Sequence, residues 1–144
     1  MSSTFASIIA PVLAGLTRNK KPLMDDTIRI LLRYADRNTP NKTGTLRRGN
    51  QSEVVASGDY GRVFNQVPYA NFVHGGTRPH VIRPRSPGGV LAFKIGGQMI
   101  FAKRVNHPGT KANPFYDHAI SQSASERDAL LARTGDQILA SVPR

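Results

Sequence analysis

The side chains in this chain that could ligate a metal or act as a general base are four histidines, His74, His80, His107 and His118, and nine carboxylates. Cysteine is absent, which excludes thiolate ligands, thiol nucleophiles and disulfides. His74 and His80 flank a glycine-rich turn and His107 precedes Pro108-Gly109, but no two histidines have the i, i+4 spacing of a helical zinc motif. The carboxylates nearest that region are Asp59 and Asp117, whereas a two-metal nuclease needs several acidic ligands converging on one point. There is no Gly-x-Ser-x-Gly elbow and no Gly-x-x-x-x-Gly-Lys phosphate loop. Gly75-Gly76 and Gly96-Gly97 read as turn glycines. The residues therefore predict no catalytic set, no metal and no cofactor, with the histidines in structural or surface places. A small metal-dependent hydrolase using His80 and His107 is the enzymatic alternative.

Charge is the second chemical signal. Twenty Lys and Arg against nine Asp and Glu give a net +11, which points to a polyanion or an acidic protein surface as partner. From Gly61 through Tyr116 there is no carboxylate, while Arg62, Arg78, Arg83, Arg85, Lys94, Lys103, Arg104 and Lys111 all fall there. No helix-turn-helix, zinc finger or RNA-binding aromatic signature accompanies the charge, so base-specific readout is not expected. Tyr69, Phe72, Phe93 and Phe101 sit in β-prone or amphipathic runs and are expected in the core.

These residues need a scaffold, and 144 residues suit a single domain spanning 1–144. Mean hydropathy is −0.34 with 39% apolar residues, and no apolar run is long enough to cross a bilayer. Met1–Leu16 lacks a basic leader and carries Pro11, so it is expected to be retained. Phe5, Ile8, Ile9, Val12, Leu13 and Leu16 predict an amphipathic helix, capped by Ser2 or Ser3, within an N-terminal helical extension over 1–20. A polar connection, Thr17–Lys21, separates it from a second helix over 22–37. That helix has an apolar side of Met24, Ile28, Leu31, Leu32 and Ala35 and a basic ridge of Arg29, Arg33 and Arg37.

Asn38–Asn50 predicts a loop anchored by Leu46, ahead of a β-rich core over 51–105. Val54–Ala56 and Arg62–Phe64 predict a first hairpin. Pro68–His74 predicts a helical turn closed by glycine in the left-handed region. Prolines 79, 84 and 87 then predict an extended, poorly paired path. Val90–Ile95 and Gln98–Val105 predict a second hairpin about Gly96-Gly97, with Phe93 facing Ile100, Leu91 facing Ala102, and Lys94 facing Met99 on the other side. Asn113-Pro114 predicts the start of a helix over 114–133, with Ser121–Glu126 solvated or held by another subunit and a tail over 134–144. The fold class is α+β, an antiparallel sheet with hairpins packed by N-terminal helices and a C-terminal helix.

Several segments, taken in order, resemble the tail-completion or minor-tail-component family of long-tailed bacteriophages. They are Thr43-Gly44-Thr45-Leu46-Arg47-Arg48, then Tyr69-Ala70-Asn71-Phe72-Val73-His74-Gly75-Gly76-Thr77-Arg78-Pro79-His80, Ile82-Arg83-Pro84 and Leu91-Ala92-Phe93. The last is Val105-Asn106-His107-Pro108-Gly109-Thr110-Lys111-Ala112-Asn113-Pro114-Phe115. The resemblance runs from about Asp26 to Ile120, and His74 stands where such sequences often carry an acid.

The resemblance implies a non-enzymatic virion protein of the tail or neck, assembled in the bacterial host cytoplasm. It would form a homo-oligomeric ring, hexameric by expectation, that completes the tail or joins it to the head. Its partners would be its own copies, neighbouring neck and tail proteins, and double-stranded DNA held through phosphates without sequence specificity, with no membrane. Arg83, Arg85, Lys94, Lys103 and Arg104 are the candidates to face the DNA channel or an adjacent ring. The alternative is a non-sequence-specific nucleic-acid-binding module of a phage or mobile element.

Overall fold

The computed structural model describes the backbone of residues 2–142, with side-chain environments from residue 9 onward. The fold is α+β, and among the described residues the strands form three separate two-stranded antiparallel sheets rather than one. The described chain is organised as two compact units, one of residues 1–70 with 115–144 and one of residues 71–114.

The first unit is built on α1 (Ser2–Asn38), a single helix where the sequence predicts two. Pro11 and Pro22 lie inside it, and each removes one N–H from the helical ladder. The polar stretch Thr17–Lys21 stays helical because tertiary packing overrides local preference. Residues Leu16 to Leu23 run beside the last helix, α5 (Ala124–Ala140), and a Cβ on Gly15 would come within 2.8 Å of Ile138. Thr17 Oγ1 and Asn19 Nδ2 donate back to the carbonyls of Leu13 and Gly15, and Lys21 pairs with Asp25 at 2.8 Å. Phe5, Ile8 and the Ser2 or Ser3 cap lie outside the residues whose side chains are described.

Ile28 and Ala35 of the predicted apolar side are buried, and so is Ile30, since α1 is packed by helices as well as by strands. The basic ridge is engaged within the chain. Arg29 pairs with Asp26, Arg33 with Glu126 at 2.5 Å, and the Arg33 and Arg37 guanidinium groups lie over the Tyr34 ring.

A short helix α2 (Thr45–Arg48) buries Leu46, as expected of the anchor. Strands β1 (Asn50–Val54) and β2 (Gly61–Asn65) then pair from Asn50↔Asn65 to Val54↔Gly61. The strand begins four residues earlier than the predicted Val54 start, in a polar stretch. Its base is fixed by side-chain amides: Asn50 Nδ2 donates to Asp36 Oδ1 and Thr39 Oγ1, and Asn65 Nδ2 donates to Asn50 Oδ1 and to the Leu46 carbonyl. At the other end Gly58 (φ +73°) sits against the Lys21 backbone, and Lys20 pairs with Asp59.

The predicted C-terminal helix is two helices, α4 (Phe115–Gln122) and α5. The junction residue Ser123 is fully buried, and Arg127 Nε donates to its hydroxyl. Of the stretch expected to be solvated, Ser121, Gln122 and Ser125 are exposed as expected, whereas Ser123 is buried and Glu126 is held by Arg33. Helix α5 also continues through most of the expected tail. Phe115, fully buried and 4.5 Å from the Tyr116 ring, closes the core with Ala119 and Ile138.

Candidate interaction surface in residues 71–114

The second unit has seven Lys and Arg and no Asp or Glu. It opens in α3 (Ala70–Gly75), whose first residue belongs to the first unit, and the predicted left-handed closure is present at Gly76, φ +70°. Immediately after it, Thr77 and Thr110 exchange backbone hydrogen bonds of 2.9 and 3.1 Å, and the Thr110 N–H also donates to Thr77 Oγ1.

Both arms of this bridge follow a left-handed glycine. A Cβ on Gly76 would meet the Thr110 carbonyl at 2.6 Å, and one on Gly109 (φ +90°) would collide with the Thr77 carbonyl. The close approach therefore depends on two missing side chains. The Asn113 N–H adds a bond to the Val73 carbonyl.

From the bridge the chain enters β3 (His80–Ile82), paired with β6 (Val105–His107) in the register His80↔His107, Val81↔Asn106, Ile82↔Val105. This corrects the poorly paired path predicted from the prolines. Pro79 and Pro84 lie outside the three paired residues, where no ladder N–H is needed.

His80 and His107 thus face each other across two strands, ring centroids 5.0 Å apart. Their protonation is set by neighbours. His80 Nδ1 lies 2.8 Å from the Arg78 carbonyl, so it carries the proton, whereas His107 Nδ1 accepts the Gly109 N–H at 3.1 Å and is bare. In the neutral state His80 keeps a free Nε2 lone pair and His107 has its proton on Nε2. A metal joining the two Nε2 atoms would have to displace that proton and the Gly109 bond, so the pair is poorly suited to the metal-site alternative. Among the described residues no three His, Cys, Asp or Glu side chains stand close enough to share a metal ion. His118 lies in the first unit, on α4.

The histidine pair lines an open cleft of about 650 Å³ whose walls include Phe72, Arg78, Pro79 and Ile82. The sequence does not single out this cleft, because it forms only when Thr77 meets Thr110. The signal that could have found it is the repeated Gly-Thr pair, Gly76-Thr77 and Gly109-Thr110.

Between these strands in sequence, and forming a separate sheet, is the hairpin β4 (Leu91–Ile95) and β5 (Gln98–Ala102), with the predicted pairs Leu91↔Ala102, Phe93↔Ile100 and Lys94↔Met99. Gly96 and Gly97 both have positive φ, +57° and +89°, as a primed two-residue turn requires. One face carries Leu91, Phe93, Ile95, Ile100 and Ala102, the other Ala92, Lys94, Met99 and Phe101. Exposure is high on both: Ile95 is 58% and Phe101 65% accessible. Phe72 is also exposed, at 61%. Phe72 and Phe101, expected in the core, are therefore among the most accessible large apolar side chains.

The five basic candidates all fall in this unit and are exposed: Arg83 and Arg85 between β3 and β4, Lys94 on β4, Lys103 and Arg104 between β5 and β6. Among the described residues none of the five takes part in an ion pair. Arg62, by contrast, lies in the first unit, pairs with Glu53 at 2.7 Å and stacks on Phe64. The chain matches no protein-family model, no curated protein and no solved structure.

Proposed function

We propose that this chain is a non-enzymatic structural subunit of a tailed-bacteriophage particle, forming a homo-oligomeric ring that completes the tail or joins it to the head around the DNA channel. The observation that carries the reading is the β4–β5 hairpin. A two-stranded ribbon with apolar side chains on both faces is marginal alone in water and is stabilised when a neighbour covers it. Rings use heterologous interfaces, in which one subunit's projecting element is covered by a different surface of the next. Arg83, Arg85, Lys94, Lys103 and Arg104, which form no ion pair among the described residues, supply cations that a DNA path tolerates or uses through phosphates alone. The ordered succession of Tyr-Ala-x-Phe-Val, Gly-Thr-Arg-Pro-His and His-Pro-Gly-Thr segments supports the same assignment.

Electron microscopy of particles made without this gene tests it. Filled heads beside separate tails are expected, and intact infectious particles would refute a joining role. The five exposed cations equally favour the second reading, a nucleic-acid-binding module acting outside a particle. Steeply salt-dependent duplex binding by a monodisperse monomer distinguishes that reading.

A further inference from the structure

We propose that the cleft between Phe72 and the His80–His107 pair is a docking site for an acidic segment of a partner protein. One carboxylate would seat against Arg78 and the His107 Nε2–H, and an adjacent apolar side chain against Phe72, Pro79 and Ile82. The inference rests on the cleft itself and not on the virion reading.

The lining selects the occupant. Its volume, about 650 Å³, lies in the range of sites that enclose a few side chains. Aromatic and aliphatic walls beside the Arg78 guanidinium and the His107 Nε2–H suit a carboxylate flanked by an apolar residue. Duplex DNA presents a convex ridge of evenly spaced phosphates, which an apolar concavity fits poorly.

A second copy of this chain is a weaker occupant, because its own carboxylates are largely engaged. Asp25, Asp26, Glu53, Asp59 and Glu126 form ion pairs, Asp36 accepts from Asn50, and Asp117 also has a partner. The remaining Asp128 and Asp136 lie on α5, where Asp128 directly follows Arg127.

Arg78 lines the cleft, and residues 71–114 contain no carboxylate. A bound carboxylate would supply the counter-charge that the unit lacks.

The test uses the full chain, isotope-labelled, titrated with a blocked hexapeptide Gly-Glu-Leu-Glu-Leu-Gly, its glutamine counterpart and a short DNA duplex. The glutamate peptide is expected to shift Thr77, Arg78, His80, His107 and Thr110 resonances and to bind about tenfold more tightly than the glutamine peptide. Arg78→Gln should lose about the same factor while the free variant keeps its Thr77 and Thr110 amide positions. Equal binding of the two peptides, no binding of either, or shifts outside the cleft would overturn the proposal. So would stronger shifts of the same residues by the duplex, or by raising the concentration of the chain alone, which would assign the cleft to nucleic acid or to a second copy.

Discussion

Asn65 donates from Nδ2 to Asn50 Oδ1 over 2.7 Å, joining two residues that are opposite partners at the base of the β1–β2 ribbon. Asn50 reaches Asp36 and Thr39 of the α1 end, Asn65 reaches the Leu46 carbonyl, and the Tyr116 hydroxyl donates to the same Asn50 oxygen at 3.2 Å. Two amides thus bind four segments of the first unit. Asn65→Ala removes both donated bonds and the acceptor for the Val67 N–H, while the Leu46 carbonyl keeps the Gly49 N–H and Asn50 Oδ1 keeps the Tyr116 hydroxyl. The expected cost is about 1–2 kcal/mol. A lowered denaturant midpoint with an unchanged slope is the check; an unchanged midpoint would show the network to be dispensable.

Two neighbouring glycines should respond in opposite directions. Gly75 ends α3 with open space where a Cβ would lie, whereas Gly76 has φ +70° and backbone atoms of Thr110 and Ala112 within 2.7 Å of that position. Gly75→Ala is expected to be neutral or to stabilise by up to about 1 kcal/mol, and Gly76→Ala to destabilise by about 2 kcal/mol or more. Amide-exchange protection at Thr77 and Thr110 reads the difference locally. Retained protection in Gly76→Ala would mean that the bridge does not need the close approach.

Where the sequence was legible, the determinants were local. The register Phe93↔Ile100 follows from one two-residue turn and the period of two in the flanking strands, and Gly76 closes α3 where two consecutive glycines predicted it. The rest depended on distant partners. A helix break at Thr17–Lys21 was a sound local reading, but α5 packs beside that stretch. The strand at Asn50–Glu53 has no apolar alternation, because amide contacts to α1 and α2 fix it instead. The basic candidates could be named from composition alone; the cleft could not, since its two halves are separated by the whole β4–β5 hairpin.

Tyr116 makes alkaline stability a probe of the first unit. Burial, with the Asp36 charge adding to it, pushes the phenol up from 10.0 to about 12. A folded-state pKa above the unfolded one stabilises fully below the unfolded value, and that contribution is lost as pH rises from about 10 to 12. Partial exposure moderates the size of the effect. Tyr116→Phe should remove this portion of the alkaline decline. At neutral pH it should cost only about 0.5–1 kcal/mol, because Asn50 Oδ1 still accepts from Asn65. Thermal unfolding followed across that pH range, with phenolate absorbance as reference, checks the sign.

Acid should act on a different contact. The Arg33 guanidinium beside Glu126, through a direct hydrogen bond, holds that carboxyl below its ordinary value. A depressed carboxylate stabilises above its unfolded pKa, and the contribution is lost as pH falls through the lower, folded value. Glu126→Gln should therefore flatten the acid limb of the stability profile below about pH 4.5, with little change at neutrality because the pair is solvent-accessible. An identical acid limb in the variant would assign that limb to other carboxylates.

The β4–β5 hairpin separates folding from assembly. Phe101 is 65% accessible, and its cross-strand partner Ala92 offers little cover. Replacing it with serine exposes no cavity and breaks no buried contact, so Phe101→Ser should leave the thermal midpoint of the free chain within the range of ordinary surface changes, about 0.5 kcal/mol. In the proposed ring the same side chain would be desolvated against a neighbour, where truncating an aromatic anchor costs about 2 kcal/mol or more per interface. Particle assembly should therefore fail or slow markedly with a chain that remains folded. A variant that both unfolds early and assembles poorly would place Phe101 in this chain's own core. One that assembles normally would remove the hairpin from the interface and, with it, the main structural support for the ring.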